Sequence, residues 1–307
     1  MKIFTGTSNP TAVKIGSQDA SAVYRGSEQV WPRYRDIVGL EYLVIGGGGS
    51  GGTGDGYRGG GGGAGGYRTN VVGDTSGGNS PAEGAYPTIP VNTSLRVIVG
   101  LGGVPNGTFD AVSGNSSLFD ADGVIQTISA LYGGAGGNNG SQGAVGGSSG
   151  GAFCYYTCPT TEGTTGQGHA GGGENVGNYG AAGGGGAGSA GATGSGSDGG
   201  NGGQGLVSSI DGLNKSRAGG GGGGFTTGGG FGNSGSGYGS GGNGYAAEAN
   251  TGSGGGGSNT NAGAGGSGVV IVRYLGEQMA DGGEVTTHDG YTVHTFNADG
   301  IFEVWHD

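Results

Sequence analysis

Glycine constrains this chain more than any other feature, occupying 91 of its 307 positions. A residue without a Cβ buries no side chain, yet it loses more backbone freedom on folding than any other. Ordering one residue costs roughly 1–2 kcal/mol, so the glycines alone oppose folding by on the order of 100 kcal/mol. Leu, Ile, Val and Phe together supply only 50 residues, and the net charge is −11. That combination ordinarily belongs to a disordered chain. If this chain folds, something other than side-chain burial must order it.

Several classes are excluded at once. Seven prolines and no strict glycine-every-third repeat rule out collagen. No apolar run approaches the roughly 18 residues of a membrane-spanning helix, so no membrane insertion is expected. The opening Met1-Lys2-Ile3-Phe4 lacks the apolar stretch and cleavage site of a signal peptide, so no leader is expected. Three lysines and eight arginines are scattered singly in an acidic chain, which argues against a nucleic-acid partner.

Glycine is also unevenly placed. Residues 1–45 hold four glycines and residues 269–307 hold five, leaving 82 between positions 46 and 268. The division expected is an N-terminal β unit (1–39), a glycine-rich body (40–275) and a C-terminal β meander (276–307). In the N-terminal unit, Ala12-Val13-Lys14-Ile15, Ser21-Ala22-Val23-Tyr24 and Gln29-Val30-Trp31-Pro32 read as short strands. A unit of this size needs something to pack against. The body opens with Glu41-Tyr42-Leu43-Val44-Ile45 and closes with Val269-Val270-Ile271-Val272-Arg273-Tyr274 in the strand 269–275. Between them 93–99, 117–119 and 124–129 also read as strands, and the five should form a modest sheet or sandwich, four of them within the β-rich part 40–132 and the fifth the closing strand. Residues 284–287, 291–296 and 301–305, joined by Asp-Gly turns, read as a three-strand meander. No segment has helical periodicity with helix-forming residues. The fold class is therefore all-β, almost free of α-helix, with short β units at both termini and a glycine-rich lattice between them.

The lattice, expected over 133–268, follows from what glycine leaves available. Backbone hydrogen bonds, Cα–H···O contacts and dispersion between close chains are the remaining favourable terms. Extended left-handed threefold helices, rising about 3.1 Å per residue, point their amides outward in three directions and can bond neighbours on all sides. Any inward Cβ would force such neighbours apart, so interior runs should be nearly pure glycine, with Ala or Ser at edges. Residues 59–66, 183–188, 219–224 and 254–257 meet that demand, and the inserts between runs become turns at two ends of a slab. A flexible Gly/Ser linker, a glycine-rich β-solenoid and a coil pinned by partners are the alternatives.

Chemical motifs are scarce. GxGxxG patterns arise by accident at this glycine density and carry no dinucleotide signal. The only cysteines, Cys154 and Cys158, lack two further zinc ligands; a small-loop disulfide and two free thiols remain open. His288 and His294 read as structural or solvated. No Ser/His/Asp set or paired carboxylate stands out, so neither catalysis nor a cofactor or metal is expected. The inserts say more. Tyr57, Arg58, Tyr67, Arg68, Phe153, Tyr155, Tyr156, Lys215, Arg217, Tyr238 and Tyr245 place aromatic or basic groups between glycine runs. Tyrosine in small polar surroundings offers large contact area at low entropic cost, as recognition loops require. The competing reading has them cap the lattice ends against water.

The ordered series Leu43-Val44-Ile45-Gly46-Gly47-Gly48-Gly49, Leu95-Arg96-Val97-Ile98-Val99-Gly100-Leu101-Gly102-Gly103, Gly114-Asn115-Ser116-Ser117-Leu118-Phe119 and Gly268-Val269-Val270-Ile271-Val272-Arg273-Tyr274 resembles the glycine-rich domain of bacteriophage tail-fibre and other virion proteins. The long glycine section is similar to the tail-tip adhesins of T-even-type phages. That resemblance implies polyglycine II helices packed in a sandwich whose terminal loops contact host receptors. It also implies a virion location, other virion or tail proteins as partners of the N-terminal unit, and a protein or glycan receptor on the host surface. Self-association into a homo-oligomer is left open. A decoration or connector protein without receptor binding is the alternative, and a cell-surface glycine-rich protein a third. The Gly290–Phe296 unit departs from the family pattern, since it usually precedes the opening strand and here ends the chain.

Overall fold

The computed structural model describes residues 35–54, 58–106, 111–138, 140–154, 158–173, 180–196, 198–225, 230–232 and 244–305, with the backbone of four short strands nearer the N-terminus. No helix occurs among them. The strands are β1 (Lys14–Ile15), β2 (Gln18–Asp19), β3 (Val23–Arg25), β4 (Glu28–Trp31), β5 (Glu41–Ile45), β6 (Tyr67–Thr69), β7 (Thr75–Ser76), β8 (Ser80–Pro81) and β9 (Ser94–Val97). They continue as β10 (Ser117–Phe119), β11 (Ile128–Ala130), β12 (Leu206–Val207), β13 (Ser216–Arg217), β14 (Val269–Leu275), β15 (Ala280–Asp281), β16 (Glu284–His288), β17 (Tyr291–Phe296) and β18 (Gly300–Val304).

The central element is an antiparallel five-stranded sheet in the order β16-β17-β14-β5-β6. β5 and β14 are apolar at nearly every position because both faces of the sheet are covered, and the period of two survives as a division between cores. Tyr42, Val44, Val270, Val272 and Tyr274 face one core, where they meet Leu95, Val97, Phe119, Phe302 and Val304. Leu43, Ile45, Val269 and Ile271 face another, built from Tyr67, Ile210 and the small residues Ala64, Ala187 and Ala218. The first core lies against the three-stranded sheet β15-β18-β9 and the hairpin β10-β11. The second lies where the sheet meets the glycine runs.

Two of the sequence expectations are corrected here. The five body strands, expected as a sheet or sandwich, divide among separate sheets over one core: β5 and β14 share the large sheet, β9 joins β18, and β10 pairs with β11. Residues 124–127 are not a strand, because the amides of Val124, Ile125 and Gln126 all donate to the Asp120 carboxylate at 2.8, 2.7 and 2.7 Å and curl the chain around it. The terminal segment is not a three-strand meander. β16 and β17 form the hairpin across Asp289 and Gly290, both at positive φ (48° and 81°) as a two-residue Asp-Gly turn requires. β17 is then flanked by β14 and β16, so no edge is left, and β18 crosses the core to pair with β9. The terminal strands thus complete both sheets of the body.

Beyond Ile45 the side chains stop and the backbone bonding changes period. Amides of Gly46, Gly49 and Gly52 donate to the carbonyls of Gly66, Gly63 and Gly60. Those of Gly47 and Ser50 donate to Asn115 and Val112, and those of Gly48 and Gly51 to Gly266 and Gly263. Successive residues therefore point to three different neighbours and return every third residue. Carbonyls do the same toward further chains: Gly47 and Ser50 accept from Gly133 and Gly136, Gly49 and Gly52 from Gly255 and Ser258, and Gly48 from Gly103. The next thread, 60–66, bonds in the same way to 131–137, 182–185 and 252–255 through its amides. Its carbonyls accept from 46–52, 148–151 and Gly221. Each of these interior threads has six bonded neighbours. A ribbon of pleated strands offers only two bonding directions; a threefold period requires three.

This coordination explains the glycines. A Cβ on Gly61 would land on the Gly221 carbonyl, one on Gly221 on the Gly255 carbonyl, and one on Gly46 on the Leu131 carbonyl. The exceptions refine the expectation that Ala and Ser stay at edges. Ala64, Ala187 and Ala218 are fully buried where the threads meet the second core, and Ala181 and Ala182 are fully buried among the threads themselves. Ser50 is also fully buried, and its hydroxyl takes part in the bonding by accepting from the Val112 amide at 2.9 Å.

Candidate functional site

Hydrogen-bond register assigns the described inserts to the two ends of the slab. At the sheet end, Gly66 donates to Leu131, Tyr67 to Gln167, Gly78 to Ala187, and Ala187 to Ala218. Residues 67–95, 164–167 and 206–217 lie there. At the far end, Gly52 donates to Gly60, Gly60 to Gly137, Gly137 to Gly151 and Gly224 to Gly59. Past that level come Arg58, Asn138, Phe153, Cys154, Cys158 and Phe225.

The far end is braced by side chains that the interior does without. The Arg58 guanidinium carbon sits 4.1 Å from the centroid of the Phe225 ring, joining two thread ends by a cation–π contact. Thr53 donates its amide to Asn138 Oδ1 at 2.9 Å, and Phe231 donates its amide to Asn201 Oδ1 at 2.8 Å. The Phe153 amide donates to Ser141 at 3.0 Å, and its ring is buried. Cys154 and Cys158 are joined in a disulfide. Against this frame the Phe231 side chain is 67% exposed, and Tyr245, on the flank near Gly256, is 62% exposed. A large aromatic held out in water on a fixed backbone is suited to contact.

The sequence-selected residues divide sharply. Tyr57, Tyr155, Tyr156 and Tyr238 lie outside the described residues. Arg58 and Phe153 are at the far end. Tyr67, Arg68, Lys215 and Arg217 are at the sheet end, and three of the chosen side chains are corrected as contact residues. Tyr67 is wholly buried in the second core, and burial pushes its hydroxyl well above the ordinary phenol range. Arg217 is buried against Asp211 at 2.6 Å. Phe153 packs inward as an anchor. Arg68 is half-buried, held by both Glu83 oxygens at 2.6 Å and bonded to the Ser129 carbonyl at 3.1 Å, with the Tyr42 hydroxyl on the same carboxylate. Such a two-pronged pair positions β6 and holds the guanidinium against its own chain. Lys215 is partly exposed and pairs with Glu248 at 2.7 Å.

Sequence reasoning missed the two asparagines. Asn138 and Asn201 each stand beside a glycine run, and their side-chain carbonyls accept from the amides of Thr53 and Phe231. An asparagine at the margin of a glycine run was the available signal.

No curated protein matches the chain. The sequence model of a glycine-rich domain matches residues 26–275, from just before β4 to the last residue of β14. The match spans the body strands and the described threads between them, and the chain therefore belongs to this glycine-rich domain family.

Proposed function

We propose that the chain is a non-enzymatic virion protein of a bacteriophage, a tail-fibre or tail-tip component, whose far-end loops contact a protein or glycan on the host surface. The threads in this reading are polyglycine II helices, and the N-terminal hairpins β1–β4 attach the body to other virion proteins. The observation that carries it is the separation of labour between thread and loop. Interior threads are bonded through backbone on six sides and leave no room for a Cβ at positions such as Gly61 and Gly221, whereas at the far end the Phe231 side chain is 67% exposed. The resemblance to tail-tip adhesins points to this assignment, and family membership bears only on its glycine-rich body.

The test compares candidate contact residues with a sheet-end residue in assembled particles. Phe231→Ala combined with Tyr155→Ala and Tyr156→Ala should lower adsorption at least tenfold while particle yield stays normal. Lys215→Ala, at the sheet end, should leave adsorption unchanged. Normal adsorption by the triple variant would reject the receptor-contact reading. Loss of assembly with normal adsorption by the particles that form would assign the loops to virion neighbours instead.

A further inference from the structure

The eight residues 276–283 leave β14, cross the edge of the first core and return to begin β16. Part of this strap pairs conventionally, through β15 with β18 and through the Met279 carbonyl, which accepts from the Trp305 amide at 3.0 Å. The Gly276 amide also donates to the Gly290 carbonyl at 2.8 Å, and three wholly buried side chains of β14 and β17 hold further backbone groups of the strap. Thr292 Oγ1 donates to the Gly276 carbonyl at 2.7 Å. The Tyr274 hydroxyl accepts from the amides of Met279 and Ala280 at 2.8 and 3.1 Å. His294 Nδ1 lies 2.7 Å from the Gly282 carbonyl, and its Nε2 lies 3.1 Å from the Tyr274 hydroxyl.

Only one arrangement of protons satisfies this set. A carbonyl oxygen can only accept, so His294 Nδ1 carries a hydrogen and donates it to Gly282. The Tyr274 oxygen already accepts two amide hydrogens, so its own proton is directed to His294 Nε2. That nitrogen must be bare and the imidazole neutral. No water can reach the ring to relieve a second proton: it is wholly buried, with Tyr274 at 5.6 Å between centroids and the Phe302 ring edge-on at 5.0 Å.

We propose that His294 is an acid-sensitive latch for the strap 276–283. Protonation of Nε2 sets an N–H against a hydroxyl whose oxygen has no acceptor capacity left. Either Tyr274 drops a strap amide or the strap opens to admit water. The other elements around the ring offer little relief. Val272 of β14 and Val285 of β16 are its register partners and Phe302 of β18 covers it, none of them charged. Among the described residues, the charge of the Asp281 carboxylate of β15 favours the charged form, as does the bond to Gly282; burial outweighs both and lowers the affinity of the ring for a proton. The folded-state value thus lies below the unfolded one. The latch holds fully above the ordinary histidine range near ~6.5 and weakens as pH falls below it.

Two measurements on the full chain test this. Nitrogen NMR of the His294 ring at neutral pH should find Nδ1 protonated and Nε2 bare. Hydrogen exchange of the Met279 and Ala280 amides, corrected for intrinsic chemistry, should show the open population rising about tenfold per pH unit below ~6.5, until the folded form itself takes up the proton. Gly49 and Gly63 amides, bonded between threads, should show no such rise. In His294→Gln, with β5 and β14 protection checking the fold, the strap should lose its pH dependence. A protonated Nε2, or strap exchange that follows Gly49 at every pH, would overturn the latch. If His294→Gln does not fold, the wild-type tautomer and exchange profile decide alone.

Discussion

The core between the two sheets and the glycine lattice are ordered by opposite means. Around Phe302 the rings of Phe119, Tyr274 and His294 lie at 6.0, 6.3 and 5.0 Å, and stability comes from large side chains leaving water. Around Gly61 there is no side chain to bury. Its amide donates to Ala182 and its carbonyl accepts from Gly151 at 2.9 and 2.8 Å, and its flanking residues bond to other threads. The core is therefore vulnerable to deletion and the lattice to addition. The same substitution size has opposite meaning in the two regions.

That contrast can be broken in three places. The largest effect is expected from Gly61→Val, whose Cβ would meet the Gly221 carbonyl and whose neighbours are all backbone. The loss should exceed about 5 kcal/mol in denaturant unfolding, beyond the ordinary range for point substitutions. A loss near 1 kcal/mol would show that the threads can part. Phe302→Ala, which leaves a cavity among the rings, should cost about 3–5 kcal/mol in the same assay. A negligible change would mean that this core contributes little beside the lattice. The smallest effect is expected at Gly84, which is exposed with nothing within 4 Å of an added Cβ. Gly84→Ala should be neutral or raise stability by up to about 1 kcal/mol, by restricting the unfolded chain. A clear loss there would sever glycine's role from thread packing.

Much of this contrast was legible in the sequence. β5 and β14 announce themselves because β-branched runs end abruptly at glycine, and the Asp289-Gly290 turn carries its own backbone requirement. The long glycine runs imply close backbone approach by arithmetic alone. The second core was not legible, since Tyr67, Ala64, Ala187, Ile210 and Ala218 come from four separate stretches with no shared period. For that reason Tyr67 and Arg217 looked like surface residues between glycine runs and are instead interior. Which insert reaches which end was also hidden. It depends on whether successive threads run parallel or antiparallel, as 46–52 does to 133–136 and to 60–66 respectively, and glycine carries no mark of direction.

The direct test of the lattice is residue-resolved native hydrogen exchange across 46–52 and 60–66. Bonding in three directions predicts slow exchange at every consecutive amide of both threads, comparable with β5 and β14 at the centre of the sheet. Protection at alternate residues, as in an edge strand, or exchange at the rate of an open glycine chain, would contradict it.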